Sequence, residues 1–370
     1  MDIKVKEEYL ARAKELHRKN PVVDAHLDLA GEILLRNRAG EKEVVKGYYL
    51  PYFKEADLNL VFSSVYVESG NLSRGWENAL EQIGALKEDI KELSDVVLVE
   101  NRSDMDKVLG QGKIGILLYM EGLDCIGEDI DRLDALYGLG VRGASLTWSR
   151  KNALGCGCCK ASEHRQVSGR LTRAGERAVK RLEELSMFLD VSHLNDEGFE
   201  HVCKLAERSF IATHSGSRKI YDSFRNLTDG QILALSERGG IMGMNGCKYI
   251  AGSLAGNHIE MLCRHIEYEV EKAGPEHVGF GFDLCDSYDQ ARARLKNYSD
   301  NLHVNHENNG GAMDFEKEAT CVERDDCLPN HGQIPVVTAA LLQRGMDEDT
   351  VKKIIGGNFT RYLINVISGT

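Results

Sequence analysis

Eight short apolar runs, most of them followed by a stretch with helical periodicity, constrain this chain more than any other feature. The runs cover residues 22–28, 59–67, 113–120, 141–147, 186–191, 209–213, 240–245 and 277–282. Helical patterns fall at 3–19, 74–93, 129–138, 171–185, 195–207, 228–238 and 256–273, with more at 103–110, 334–344, 347–355 and 357–367. A short extra strand is expected at 96–99. Strands alternating with helices predict a parallel sheet closed on itself, an α/β fold of the (β/α)8 TIM-barrel kind. Residues 32–56 read as an irregular charged loop, 150–169 as a Gly/Cys-rich loop, and 284–332 as an insert expected to flank or cover the barrel mouth. At 370 residues the chain is expected to form a single domain, 1–370, carrying that insert.

Bulk composition removes several function classes. Hydrophobic residues at 42% and charged residues at 28% suit a globular protein with a large core. A net charge of −12 with no basic cluster argues against a nucleic-acid partner. The first twenty residues form a charged helical pattern without an apolar core, so no secretory signal is expected. No apolar run has the length of a membrane span, and no membrane anchor is expected. Ten cysteines without an export signal read as reduced thiols, which gives an expected cytoplasmic location.

The ligand-type residues share one position in the pattern. His26, Asp28, Glu121, His193, His214 and Asp283 each lie at or just beyond the C-terminal end of a predicted strand: the first, third, fifth, sixth and eighth. Taken singly, each is an ordinary hydrogen-bonded loop or core residue. In a barrel of parallel strands those ends form one rim, so all six are expected in one pocket. Three imidazoles and three carboxylates suffice for two divalent ions, Zn²⁺ expected, sharing a carboxylate bridge. Such a pair polarises a carbonyl and brings a water to hydroxide at neutral pH. Asp190, two residues before Ser192, reads either as a support for an imidazole or as a strand-end hydrogen bond. Cys156, Cys158 and Cys159 cluster in the glycine-rich loop without a paired zinc-site spacing. The insert adds His303, His306, Cys321, Cys327 and His331.

The combined motifs resemble those of the membrane dipeptidase (renal dipeptidase) family of zinc peptidases, whose barrel is of the metal-dependent hydrolase type. The resemblance rests on His26-x-Asp28, Glu121-Gly122, Leu171-Thr172-x-x-Gly175, Asp190-x-Ser192-His193, Thr213-His214-Ser215, Gly279-Phe280-Gly281-Phe282-Asp283 and Gly356-Gly357-Asn358-Phe359. It implies that His26 and Asp28 hold one metal, that His193 and His214 hold the other, and that Glu121 bridges them. It makes Asp283, with Glu121, the catalytic acid pair, Asp283 handling the proton. It assigns Arg225 to the terminal carboxylate of a small dipeptide, a bidentate pairing that selects free dipeptides. The alternative for Arg225 is a surface salt-bridge arginine. Trp148 and Asn245 join it as substrate-binding candidates. Trp148 departs from the family, whose better-known animal members carry a histidine after this Leu-Thr. Indole donates one hydrogen bond but cannot ionise, which puts rate and substrate range in question, and a packing role at the barrel mouth is the alternative. The implied activity is hydrolysis of dipeptides through a metal-bridging hydroxide, with subunit pairing. The competing activities are a metal-dependent amidohydrolase acting on another small amide, lactam or N-acyl amino acid, and a metal-binding protein without catalysis.

Overall fold

Nine parallel strands and one antiparallel hairpin carry the architecture in a computed structural model that describes residues 3–162, 165–253, 255–294 and 326–367. The strands are β1 (Val23–Leu27), β2 (Leu60–Tyr66), β3 (Val96–Leu98), β4 (Ile114–Glu121), β5 (Val141–Ser145), β6 (Lys160–Ser162), β7 (Arg165–Gln166), β8 (Phe188–Asp190), β9 (Ala212–Ser215), β10 (Met242–Met244) and β11 (Val278–Phe280). One sheet runs in the order β1-β2-β4-β5-β8, with β3 on the opening residues of β4 that β5 leaves unpaired. A second holds β11-β10-β9. The β6–β7 hairpin stands apart.

The large sheet curls, and ring contacts show by how much. In the sheet order β2 and β8 are separated by β4 and β5, which in a flat sheet would hold them about 14 Å apart, three spacings of about 4.8 Å. Yet the Phe62 ring on β2 lies 5.6 Å from the Phe188 ring on β8. Tyr119 on β4 packs 5.7 Å from Phe188, and Phe359 of the C-terminal helix Asn358–Ile367 packs 5.6 Å from Phe62. The interior is therefore filled with aromatic side chains, and small residues make the room. A Cβ on Gly143 of β5 would lie 2.2 Å from the Phe188 ring, and one on Gly279 of β11 2.4 Å from Phe359. The helix plugs the end at which the strands begin.

The three-stranded sheet meets both edges of the large one. Asp190 and Ile211 form a parallel bridge between β8 and the start of β9. On the other side Phe282 N–H, just past β11, donates to Asp24 Oδ1 of β1 at 2.8 Å. Among the described residues no ladder joins β11 to β1. The described ladders thus form a curled parallel half-barrel with a second sheet alongside. The physical reason is local: a side-chain carboxylate takes the N–H that a ladder would give to a carbonyl, and the β1–β2 register also shifts between Asp24 and Leu27.

Helix starts obey the expected chemistry. Thr172 accepts from Gly175 N–H ahead of the helix Arg173–Glu184, Asn195 from Gly198 N–H, and Thr228 and Gln231 form a reciprocal capping box. The expected loop at 32–56 is wrong: helix Leu29–Arg38, the wide turn Val45–Tyr49 and helix Leu50–Glu55 fill it. Its charges mislead because Glu32 and Arg36 pair at 2.6 Å inside the fold, one turn apart, instead of facing water. The loop at 150–169 contains the β6–β7 hairpin. Of the insert, His303, His306 and Cys321 lie outside the described residues. Helix Asp286–Arg294 opens it, and Cys327 N–H returns to the Gly246 carbonyl at 2.8 Å.

Two glycine substitutions test the packing account. Gly143→Ala overfills the interior against Phe188 and is expected to cost about 1–3 kcal/mol in urea unfolding. Gly84→Ala, exposed mid-helix in Gly75–Ile90 with nothing within 4 Å of the added carbon, is expected to gain about 0.5–1 kcal/mol.

Candidate metal centre

Strand geometry delivers the ligand-type side chains to one end of the sheets. Glu121 is the last residue of β4, His26 lies near the end of β1, and His214 lies in β9. His193 and Asp283 come just after β8 and β11, and both adopt left-handed backbone conformations, φ 69° and 55°. Non-glycine residues rarely do so, and such strain persists only when surrounding bonds hold it. The His193 carbonyl accepts Cys158 N–H at 2.7 Å, and Asp283 Oδ2 accepts Asn245 Nδ2–H at 3.1 Å.

Glu121 is buried with its two oxygens turned to different neighbours. Oε1 lies 2.9 Å from His193 Nε2 and 3.3 Å from His214 Nε2, while Oε2 lies 3.9 Å from His26 Nε2. His26 Nε2 is in turn 3.7 Å from Asp28 Oδ1 and 3.3 Å from Asp283 Oδ1. His193 and His214 bring their Nε2 atoms to 3.0 Å. Two sets of ligand atoms fall within 4.8 Å of one another: His26, Glu121 and His214; and His26, Asp28 and Asp283. All six candidates converge, with His26 shared between the two sets and Asp283 among the ligand atoms.

The opposite nitrogens are all engaged. His26 Nδ1 bonds Tyr119 Oη, His193 Nδ1 bonds Ser149 Oγ at 2.7 Å, and His214 Nδ1 bonds Thr213 Oγ1 at 2.7 Å. Each ring is thereby aimed with Nε2 at the centre, the arrangement by which metal-binding imidazoles are oriented. Asp190 supports this from behind: its Oδ2 accepts the Thr213 hydroxyl at 2.6 Å, so it acts on His214 through Thr213 rather than on His193. Ser64 bonds Asp28 in the same supporting manner.

Charge is unbalanced in this pocket. Burial opposes protonation of His26, but Glu121, Asp283 and Asp28 outweigh it and push its pKa up to about 10. Burial, together with the positive charges of Arg225 and His26, holds His193 and His214 well below the usual imidazole range. Burial drives Glu121 well above the usual carboxylate range. Asp283 runs the other way: burial would raise it, but His26 and Arg225 hold it below the usual range. His26 Nε2 is buried without a hydrogen-bond partner. Neutral imidazole nitrogens, a buried carboxylate and an orphaned Nε2 directed at one point fit a borderline divalent cation, so the residues present suit the metal that the motifs imply.

A sequence profile of the membrane dipeptidase family, peptidase family M19, matches residues 10–307. The chain belongs to this family. Dipeptidase 3 of Macaca fascicularis is 27% identical over 309 residues, covering 78% of this chain and 60% of its own length. An uncharacterised protein of Acinetobacter calcoaceticus is 28% identical over 201 residues, covering 53% of this chain and 64% of its own. The chain thus spans less than two thirds of either relative. The crystal structure of the dipeptidase AC, a metallopeptidase, superposes with a TM-score of 0.77 at 25% identity, covering 94% of this chain and 99% of that one. A metallopeptidase from Rhodobacter sphaeroides, crystallised with a phosphinate mimic of L-Ala-D-Ala, shares the fold with a TM-score of 0.76 at 24% identity, covering 94% and 99%.

The remaining membrane dipeptidase candidates are distributed around the centre. Arg225 is buried, not a surface arginine; Nη2 donates to the His214 carbonyl at 2.9 Å and Nη1 to Ser215 Oγ at 3.3 Å, leaving Nε without a partner. Trp148 stacks on His193 at 5.6 Å and packs 5.1 Å from Tyr66, so it forms a wall of the pocket. Asn245 is fully buried, with Nδ2 on Asp283 and Oδ1 accepting Cys247 N–H at 2.7 Å, so its amide lies behind the acid. Burial raises the thiols of Cys156, Cys158 and Cys159, the last to about 11, and among the described residues they join no metal-ligand group. Their loop instead braces His193 through Cys158 N–H and Ser149. Tyr119, Ser149 and Thr213 are supports that the sequence expectations do not include. Tyr119 is legible in principle, since it shares a strand face with Glu121 two residues on; Ser149 carries no sequence signal.

Because His26 is protonated near neutrality in the metal-free protein and a ligand must be neutral, cation binding releases protons. Zinc affinity is therefore expected to rise with pH from neutrality toward about 10, with proton release in calorimetry across buffers of different ionisation enthalpy. Tyr119→Phe is expected to weaken zinc binding by about 10–100-fold.

Proposed function

We propose that this chain is a binuclear metallo-dipeptidase that hydrolyses small dipeptides at the C-terminal rim of a (β/α)8 barrel. The observation that carries the reading is Glu121, buried with one oxygen toward His193 and His214 and the other toward His26. In this reading His193 and His214 would hold one divalent ion, His26 and Asp28 would hold the second, and Glu121 would serve both; zinc suits the nitrogen-rich donor set. When bound, such ions supply Lewis acidity to the scissile carbonyl and lower the pKa of water.

The chain's own residues do the rest. Asp283, held ionised below the usual range and fixed by Asn245, accepts a proton from the attacking water and returns it to the departing amine. Arg225 offers an unpaired Nε–H and a full positive charge to the substrate's terminal carboxylate. Trp148 closes one side and shields His193 from solvent. The same reading takes residues 1–370 as one domain with an insert at 284–332. Among the described residues no helix is long and apolar enough to cross a membrane, and no disulfide joins two of the described cysteines, which supports a cytoplasmic location as part of the proposal.

A dipeptide panel with zinc-loaded protein tests this. Arg225→Ala is expected to raise KM at least about tenfold for dipeptides while leaving their C-terminal amides unchanged, the loss of one charge-assisted contact. Turnover of lactams or N-acyl amino acids but not dipeptides would favour the amidohydrolase reading, and no turnover of any member with two ions bound would remove catalysis altogether.

A further inference from the structure

A cavity of about 600 Å³ opens at the opposite end of the strands from the metal centre, between β8, the approaches to β9 and β10, and the C-terminal helix. Three arginines line it from three different elements: Arg208 before β9, Arg238 after the helix Asp229–Glu237, and Arg361 on Asn358–Ile367. Arg208 donates to Ser186 Oγ at 3.1 Å. Arg238 donates to the Ala206 carbonyl at 2.8 Å and to that of Cys203. Arg361 donates to Asn358 Oδ1 at 3.1 Å and to the Glu276 carbonyl at 2.8 Å. Every one of these acceptors is neutral, and among the described residues no carboxylate pairs with any of the three. Glu183 is the one acid on the lining, and its Oε1 is occupied by the backbone N–H groups of Glu207 and Arg208, both at 2.8 Å.

Three cations against one anion leave this lining at a formal +2 in a chain whose net charge is −12. Like charges gathered in one concave site repel, and a bound anion relieves the repulsion. The hydrogen bonds to neutral groups fix the guanidiniums in place but leave most of their N–H donors free, since each carries five. The volume is that of a small-molecule site. In barrel folds this end is not the catalytic one, so the cluster stands apart from the chemistry of the rim. Guanidinium forks match phosphate oxygens in pairs.

We propose that this cleft binds a small molecule bearing phosphate, held by Arg208, Arg238 and Arg361. The proposal uses no feature of the metal centre, so it stands or falls independently of the dipeptidase reading. Calorimetric titration of the whole chain at low ionic strength with inorganic phosphate, pyrophosphate and a nucleoside diphosphate tests it. Saturable binding of at least one is expected, weakened at least about tenfold by Arg208→Gln combined with Arg361→Gln, two exposed positions, and weakened by added salt. Circular dichroism and zinc content of that variant are expected to match the parent. Preference for the nucleoside diphosphate assigns an organic phosphate; equal or better binding of the inorganic anions assigns the free anion. No saturable binding of any of the three up to about 10 mM overturns the proposal. So does binding of undiminished strength in the double variant, which would put the anion at the metal centre.

Discussion

A carboxylate buried among three imidazoles is the constraint on which the rest of this structure depends. Glu121 has no solvent to stabilise its charge, and burial, reinforced by the charges of Asp28 and Asp283, drives its pKa up. The neighbouring Nε2 atoms of His193 and His214 are equally buried and held neutral. Assembled without a cation, such a pocket costs several kcal/mol of desolvation per charge that pairing must offset. A cation coordinated by these atoms converts the cost into binding energy, because each donor is already deprotonated or loses its proton on binding.

The fold meets that constraint by rigidity. Aromatic rings from β2, β4 and β8 fill the interior and fix the curl, and glycines at 143 and 279 let the rings sit close to the backbone. The strand ends then converge, and local bonds tune the last few ångströms. Tyr119, Ser149 and Thr213 lock the imidazole rotamers from behind. The left-handed conformations of His193 and Asp283 are sustained by the bracing of the Cys-rich loop and of Asn245. Asp24 ties β1 to the residue before Asp283 and bonds His331 Nε2 at 3.1 Å, so the first and last strands share one anchor.

The parallel alternation and the gathering of His26, Asp28, Glu121, His193, His214 and Asp283 are legible because both derive from periodicity: each apolar run ends at the same level, and the side chains at those ends share one rim. Features that periodicity does not encode escape a sequence reading. The Glu32–Arg36 pair hides the helix Leu29–Arg38, since a sequence does not reveal that two charges neutralise each other inside the fold. The ring closure that the alternation predicts is not seen among the described ladders, because pairing of first and last strands depends on backbone donors, and Asp24 takes one of them. Ser149 as a partner of His193 is a contact between residues 44 apart and leaves no pattern to read. Arg225 lies beyond periodicity as well; only the family resemblance points to it, and its burial supports that reading over a surface role.

Crystals grown with zinc and measured at the zinc absorption edge test the central claim most directly. The account predicts two anomalous peaks, one beside Glu121 Oε1 with His193 and His214, the other beside Oε2 with His26 and Asp28, separated by about 3.5–4 Å. A single peak, or peaks away from Glu121, would contradict it.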